Sequence, residues 1–335
     1  MKESILLNIS ESSQPGEARR TALALASRLG FKETERGKVG IVVTEVANNL
    51  VQHGQGGVLL LRVIEQQSTI GIEILALDKG PGILDPDECL QDGFSTAGTA
   101  GNGLGAIRRL SNLFEIYSIP GAGTALLAHL WAPPAFSPLE TVLEIGVVCL
   151  PKPGQDVSGD TWASHIEDHR SLLLVADGLG HGPAAASASL AAVATFHDHS
   201  HRSPHTIIEA AHAALRSTRG TALAIAEIDF DQQSVRFAGI GNIAASIFSA
   251  TEHRSLLSHN GTVGHEVRKI QELTYPWYGN CLLVMHSDGL GTQWRLERYP
   301  GLSQKHPSLI AGVLYRDFNR ERDDVTVLVA KEMRS

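Results

Sequence analysis

Four acidic motifs hold the clearest chemistry in this 335-residue chain. They are Ser158-Gly159-Asp160, Ala176-Asp177-Gly178-Leu179-Gly180-His181-Gly182, Ser287-Asp288-Gly289-Leu290 and Arg322-Asp323-Asp324-Val325-Thr326. Each lies at the end of a run with strand character, so carboxylates distant in sequence can converge on one rim. An oxygen-rich rim suits hard cations such as Mg²⁺ and Mn²⁺. Two such ions about 3.5–4 Å apart can activate a bridging water for in-line attack on a phosphate. Glycine after Asp177 leaves a backbone carbonyl, that of Gly178, open as a further oxygen ligand. Asp-Gly pairs are also common turns; the set of four, in this order, is what points to a metal site. No arginine near these motifs stands out as a phosphate clamp.

A second constellation lies upstream. Glu45, Asn49 and His53 are spaced i, i+4, i+8, which places them on one face of a helix. A carboxylate and an amide there can share a metal ion and its water. Asp78-Lys79-Gly80-Pro81-Gly82 follows a strand, and its glycines allow a tight turn with close ligand approach. Gly101-Asn102-Gly103-Leu104-Gly105 opens a helix, where free N–H groups and the helix dipole favour phosphate. It is neither a dinucleotide fingerprint, because a loop precedes it, nor a P-loop, because no Gly-Lys-Ser/Thr follows. Taken singly, each piece has a plainer account as a solvated helix face, an ordinary turn or a helix entry. Together, within about 60 residues, they suggest a nucleotide pocket.

These side chains need elements to position them. Apolar spacing predicts helices over 17–29 and 35–53, strands at 57–64 and 70–77, a helix near 104–112, and strands at 114–119 and 124–131. Downstream, strands are expected at 142–150, 171–176, 221–230, 234–240, 281–287 and 325–330, with helices at about 182–196 and 205–217. Between the two groups, Ala132-Pro133-Pro134-Ala135-Phe136-Ser137-Pro138 can continue neither a helix nor a central strand. The expected organisation is a domain over 1–131, a stiff linker over 132–138 and a domain over 139–335. The first reads as an α+β layer with a mostly antiparallel sheet, the second as a β-sandwich flanked by helices.

Composition narrows the classes. A net charge of −8 argues against nucleic acid and against an anionic membrane surface as partners. The three cysteines, Cys89, Cys149 and Cys281, are far apart and form no CxxC pair, as expected in a reducing compartment. The N-terminal stretch lacks the apolar core of a signal peptide, and no apolar run approaches the ~20 residues that span a bilayer. A cytoplasmic location follows as the expectation. His197, His199, His201 and His205 match no ligand spacing and read as a polar interhelical loop.

The upstream motifs resemble the GHKL (Bergerat-fold) ATPase superfamily. TEVANNLVQHG is similar to its N box, DKGPGI and GNGLGAIRRLS to its glycine boxes, and Gly121-Ala122-Gly123-Thr124 to its last box. The stretch DGFSTAGTAGNGLGAIRRLSNLFEIYS looks most like the switch-protein serine kinases of bacterial partner switching, which include anti-sigma-factor and stressosome kinases. That resemblance implies ATP and Mg²⁺ as cofactors, with Asn49 as magnesium ligand and Glu45 as general base. It implies that Asp78 meets the adenine amino group and that Gly80 and Gly82 shape the turn beside the base. Gly101, Gly103 and Gly105 would form the phosphate cradle, and Thr124 would support Asp78.

The downstream motifs resemble the PPM-type serine/threonine phosphatases, in the branch typified by the sporulation phosphatase, with an α-β-β-α sandwich. By that resemblance Asp177 bridges two Mn²⁺ or Mg²⁺ ions and the Gly178 carbonyl binds one. Asp288 and Asp323 complete the other, and Asp160 acts on the first. The implied substrate is a STAS-domain protein of the anti-sigma-factor-antagonist type, phosphorylated by one domain and dephosphorylated by the other. A sigma factor is a second partner class, and an oligomer is compatible with the sequence. Two other accounts stay open: an ATP-sensing or sigma-factor-binding module without kinase activity, and a phosphatase gated by nucleotide.

Overall fold

The computed structural model describes residues 4–66, 69–89, 103–132, 142–249 and 252–333. Gly101, Asn102 and the proline-rich stretch 133–138 lie outside them. The chain groups into two compact units. One comprises Met1–Leu139 with Gln304–Arg316, the other Glu140–Ser303 with Asp317–Ser335.

The first unit is built on a five-stranded antiparallel sheet. Its strand order is Ser4–Ile9, Gly57–Gln66, Thr69–Leu77, Gly123–Trp131, Leu113–Ile119. Strand side chains alternate between faces, and here both faces are buried. One face presents Leu59, Leu61, Ile72, Ile74, Leu126 and Ala128 to helices Gln14–Arg28, Glu33–Gln52 and Gly103–Leu110. The long helix Glu33–Gln52 sends Val39, Val42, Val43, Val46 and Leu50 into that core. It has no side-chain N-cap, but Glu33 and Glu35 in its first turn complement the helix dipole.

The opposite face carries Arg62, Glu73 and His129 on adjacent strands in direct register. Arg62 Nε donates to Glu73 Oε1 at 2.8 Å, and His129 Nε2 lies 3.0 Å from Oε2. A helix from far downstream, Pro307–Phe318, supplies a third partner: Ser308 Oγ donates to Glu73 Oε2 at 2.6 Å. This helix is absent from the sequence expectation; it is buried all round, from Pro307 to Arg316, so it shows no solvated face to mark a period. The edge strand Ser4–Ile9 is also absent from the sequence expectation, since it is short and lacks clean alternation.

The second unit is a sandwich of two five-stranded antiparallel sheets. One runs Leu273–Pro276, Ser234–Ile240, Thr221–Asp229, Arg170–Gly178, Asp160–Ile166. The other runs His253–Leu256, Ala244–Phe248, Leu282–His286, Val325–Glu332, Leu143–Leu150. Leu173, Val175, Ala224 and Phe237 from the first sheet share a core with Val147, Leu283, Met285 and Leu328 from the second. The other side of the first sheet, through Leu172, Leu174, Leu223 and Ile225, packs on helices Pro183–Asp198 and Pro204–Ala214. Strand Arg170–Gly178 therefore has apolar neighbours on both faces, which is why it reads as an unbroken apolar run. The edge strand Asp160–Ile166 escapes a sequence reading because its composition, DTWASHI, is half polar. Among the described residues no helix is long and apolar enough to cross a membrane.

Glu73 yields a prediction about stability. Burial pushes its carboxyl up, but Arg62 and His129 more than offset this and hold it well below the ordinary value of 4.5. A carboxylate depressed on folding stabilises the native state above the unfolded value, and the contribution drains away as pH falls below it. Glu73→Gln removes the charge that Arg62 and His129 meet in a buried site and is expected to destabilise the protein by about 3–5 kcal/mol at neutral pH. The deficit shrinks as pH falls below 4.5. Urea unfolding of both proteins across a pH series measures it.

Candidate functional site

Two clusters of functional side chains emerge, one in each unit. In the first unit, helix Glu33–Gln52 presents Glu45 and Asn49 one turn apart. Gly103, at the start of helix Gly103–Leu110, comes to them: a Cβ there would lie 3.1 Å from Glu45 Oε2 and 3.8 Å from Asn49 Oδ1. The N-terminus of the second helix thus sits over the acid and the amide. The Asn49 Nδ2 atom is buried and has no hydrogen-bond partner among the described residues. An unpartnered buried amide calls for an explanation, and a polar ligand supplies one. Gly105 is buried within the same short helix. His53 is the C-cap of the long helix, its N–H bonded to Asn49 O at 2.9 Å, a structural place.

Asp78 ends strand Thr69–Leu77 and is held on several sides. Its Oδ1 accepts from Gly80 N at 2.9 Å and from Thr124 N at 3.1 Å, and its own N–H donates to Thr124 O at 2.9 Å. Burial pushes its carboxyl up, while those N–H groups and Arg316 pull the other way. Gly123 has φ +86°, and a Cβ there would stand 2.1 Å from Asp78 O; only glycine permits this approach. The loop after Asp78 is tied down by Ser118, whose hydroxyl accepts from Ile83 N at 2.8 Å and meets Thr124 Oγ1 at 2.9 Å. Gly82, with φ +71°, lies in that loop. Ser118 has no signature in the sequence.

In the second unit Asp160 and Asp177 face each other as register partners on neighbouring strands. Asp160 is 3% exposed, and neither carboxylate oxygen has a hydrogen-bond partner. Its carboxyl is pushed well up, first by burial and then by the Asp177 charge, with the nearby Ser287 and Thr326 hydroxyls offsetting only part. Asp177 is raised to about 7 by burial and by the charges of Asp288, Asp323 and Asp324. Burial, with the charges of Asp160 and Asp324, lifts the Cys149 thiol to about 12, so that this thiol is inert at neutral pH.

The acidic pair Asp323 and Asp324 divides its labour. Asp324 Oδ1 accepts from Lys152 N at 2.7 Å and Oδ2 from Gly159 N at 2.8 Å. It is a structural clasp between motifs. Among the described residues, Asp323 Oδ1 accepts the N–H of Asp324, at 3.0 Å, and no other. Gly178 ends its strand beside Gly159, with its N–H donated to Gly159 O at 3.2 Å.

Among the described residues no three His, Cys, Asp or Glu side chains close on one point tightly enough to hold an ion alone. An ion here would therefore take backbone and water oxygens as well, as Mg²⁺ usually does. The donor set fits a divalent cation: all oxygen, an orphaned buried carboxylate, and uncompensated negative charge.

Two further residues matter here. Asn242, in the turn between strands Ser234–Ile240 and Ala244–Phe248, donates from Nδ2 to Asp288 Oδ2 at 2.7 Å. Arg219 lies against the Asp177 loop, its Nη1 3.1 Å from where a Gly180 Cβ would be. Gly220 O accepts from Leu179 N at 3.0 Å, and Thr221 Oγ1 donates to Asp177 O at 2.7 Å. The arginine is adjacent in space but 42 residues away in sequence, beyond the reach of motif reading.

Comparison with known proteins agrees with this two-part construction. Residues 10–129 match the family described as histidine kinase-like ATPase domain, and residues 167–332 match Stage II sporulation protein E (SpoIIE). The chain is 32% identical over 114 residues to the serine/threonine-protein kinase RsbT of Bacillus subtilis (strain 168), covering 34% of this chain and 86% of RsbT. It is 27% identical over 142 residues to the phosphoserine phosphatase RsbX of the same organism, covering 42% of this chain and 71% of RsbX. A structure from work on the bacterial stressosome as a modular system adapted to secondary messenger signaling aligns at TM-score 0.54 and 27% identity, over 56% of this chain and 98% of its own. A crystal structure of RsbX in complex with magnesium shares the fold at TM-score 0.53 and 23% identity, over 59% of this chain and 98% of its own. The chain belongs to the RsbT-like branch of the GHKL-type ATPases in its first part, joined to a phosphatase domain of the SpoIIE (PP2C) type.

Asn242 is open to direct test. Hydrogen bonds behind a ligand typically contribute ten- to a hundredfold in metal affinity or activity. Asn242→Ala is expected to weaken Mn²⁺ binding about tenfold or more, with little change in melting temperature. Metal titration by calorimetry checks this.

Proposed function

We propose that this chain is a bifunctional partner-switching regulator: its first part phosphorylates a serine or threonine on a STAS-domain protein with ATP, and its second part hydrolyses phosphoserine or phosphothreonine. The observation that supports the phosphatase half is the buried Asp160 standing in register opposite Asp177, with the charges of Asp288 and Asp323 acting on Asp177. Such crowding is costly without cations and apt with them. In this reading Asp177, Asp288, Asp323, the Gly178 carbonyl and Asp160 hold two Mn²⁺ or Mg²⁺ ions, which supply an activated water when bound. Asn242 aims Asp288, Asp324 clasps the loops, and Arg219 is the cation best placed to meet the substrate phosphate.

The kinase half rests on Gly103 lying over Glu45 and Asn49. Asn49 would hold Mg²⁺ against the ATP phosphates. Glu45 would take the proton from the attacking hydroxyl, and Asp78 would accept from the adenine amino group. Gly80, Gly82 and Thr124 shape the base pocket; Gly103 and Gly105 belong to the phosphate cradle, with Gly101 assigned to it by motif alone. Phosphoryl transfer needs mainly positioning and charge neutralisation, and this arrangement suits both. The kinase motifs are proposed for the segment 1–131 and the phosphatase motifs for 139–335, with 132–138 between them, although Gln304–Arg316 groups with the first compact unit. The STAS substrate, a sigma factor as alternative partner, and a cytoplasmic site of action belong to this proposal and are supported by likeness to RsbT and RsbX.

Two variants separate the halves. Glu45→Ala is expected to bind ATP as the wild type does yet transfer no label to a STAS partner. Equal labelling by the variant would remove Glu45 as base, and binding without transfer by the wild type would favour a sensing module. Asp177→Asn is expected to abolish Mn²⁺-dependent hydrolysis of p-nitrophenyl phosphate, and retained turnover would sink the metal assignment.

A further inference from the structure

The peptide group and side chain of Asp78 are fixed on nearly every side. Its N–H is bonded to Thr124 O, and Oδ1 takes the N–H groups of Gly80 and Thr124. Its carbonyl oxygen is held by a residue from the far end of the chain: Arg316 Nη1 donates to it at 3.1 Å, across 238 positions of sequence. Among the described residues, no hydrogen bond uses the remaining carboxylate oxygen, Oδ2. Arg316 is itself only 9% exposed. It sits near the end of helix Pro307–Phe318, whose other contacts to this sheet are specific. Ser308 bonds Glu73, His306 N donates to Glu115 Oε2 at 2.9 Å, and the His306 ring stands edge-on to His129 at 5.1 Å. Gly312 fits against the same strand: a Cβ there would come 2.8 Å from Leu75 Cδ2 and 3.0 Å from Leu77 Cδ2. The helix is thus seated along strand Thr69–Leu77, with its guanidinium on the carbonyl of Asp78, the residue that follows it.

We propose that Arg316 is a positioning residue of the nucleotide site, and that residues 304–316 are an integral part of the adenine-binding unit. This rests on the reading of Asp78 as the acceptor for the adenine amino group. A buried carboxylate serves that purpose only if it stays ionised and stays in place. Arg316 bears on both. Its hydrogen bond pins the peptide from which the side chain projects, and its charge adds to the Gly80 and Thr124 N–H groups in opposing burial, which on balance still raises the carboxyl. An ionised, pinned carboxylate accepts from the exocyclic amino group of adenine and repels the O6 carbonyl of guanine. Arg316 therefore acts on base selectivity and not only on affinity.

The test uses the full chain. Dissociation constants for Mg²⁺-ATP and Mg²⁺-GTP are measured by calorimetry for the wild type, Arg316→Met, Arg316→Lys and Ser308→Ala, with melting curves for each. Arg316→Met is expected to lose about tenfold or more in ATP affinity, as for a charged hydrogen bond, while GTP binding falls less and the ATP preference narrows. Arg316→Lys, which keeps the charge but not the fork, should lie between. Ser308→Ala loosens the other end of the same helix and should leave the ATP preference as it was. If Arg316→Met or the folded Arg316→Lys keeps wild-type affinity and preference, the proposal is overturned. It is equally overturned if Ser308→Ala narrows the preference as much as Arg316→Met, which would make the helix a general support. A wild type that binds neither nucleotide would instead remove the reading of the pocket itself.

Discussion

A carboxylate taken out of water must find compensating positive charge or hydrogen-bond donors, or else give up its own charge. Three buried acids in this protein meet that requirement in three ways. Glu73 is matched by a guanidinium, an imidazole and a hydroxyl, and is held ionised. Asp78 is partly compensated: two N–H groups on one oxygen, an arginine behind it, and the second oxygen left for a ligand. Asp160 is compensated only in part, by the nearby Ser287 and Thr326 hydroxyls, and lies beside the charge of Asp177. The first acid is structural, and the other two are where the chemistry is proposed. Degree of compensation, more than residue type, separates support from function.

On the proposed reading, the two clusters prepare their ligands differently. Around Asp78 the backbone does the shaping. Peptide groups of Gly80 and Thr124 fix the acid, and Gly123 lets one strand end come within contact of another. Around Asp177 charge dominates. Sheet register sets Asp160 opposite Asp177, and the strand ends bring Asp288 and Asp323 within Coulomb range. Asp324 and Asn242 hold those loops through hydrogen bonds. Close approach matters here too, since a Cβ on Gly289 would lie 2.0 Å from Asp324 O. A nucleotide base needs directional acceptors at fixed points, whereas a pair of divalent ions needs excess oxygen and negative charge. The surroundings of each cluster follow that difference.

The helix Pro307–Phe318 adds a constraint on how the chain may be divided. Its residues up to Arg316 group with the first unit, and seven positions after Arg316 the chain reaches Asp323. A fragment cut at the proline-rich stretch would lack Ser308 from the Glu73 cluster and Arg316 from the Asp78 strand end. It would expose Leu75 and Leu77 as well.

Motifs confined to a few consecutive residues were legible from the sequence alone. The i, i+4 spacing of Glu45 and Asn49, the Asp-Gly turns, the glycine-rich helix entry and most strands and helices depend on local geometry, and local geometry is written in neighbouring residues. Tertiary structure alone decided what depends on contact across tens or hundreds of positions. It set Asp324 as a clasp and Asn242 behind Asp288, laid Arg219 over Gly180, and brought Arg316 to Asp78. It also buried on every side a helix, Pro307–Phe318, that shows no solvated face to mark a period. A hydrogen bond or a like-charge contact between distant residues leaves no trace in the spacing of either, so only the folded chain can show it.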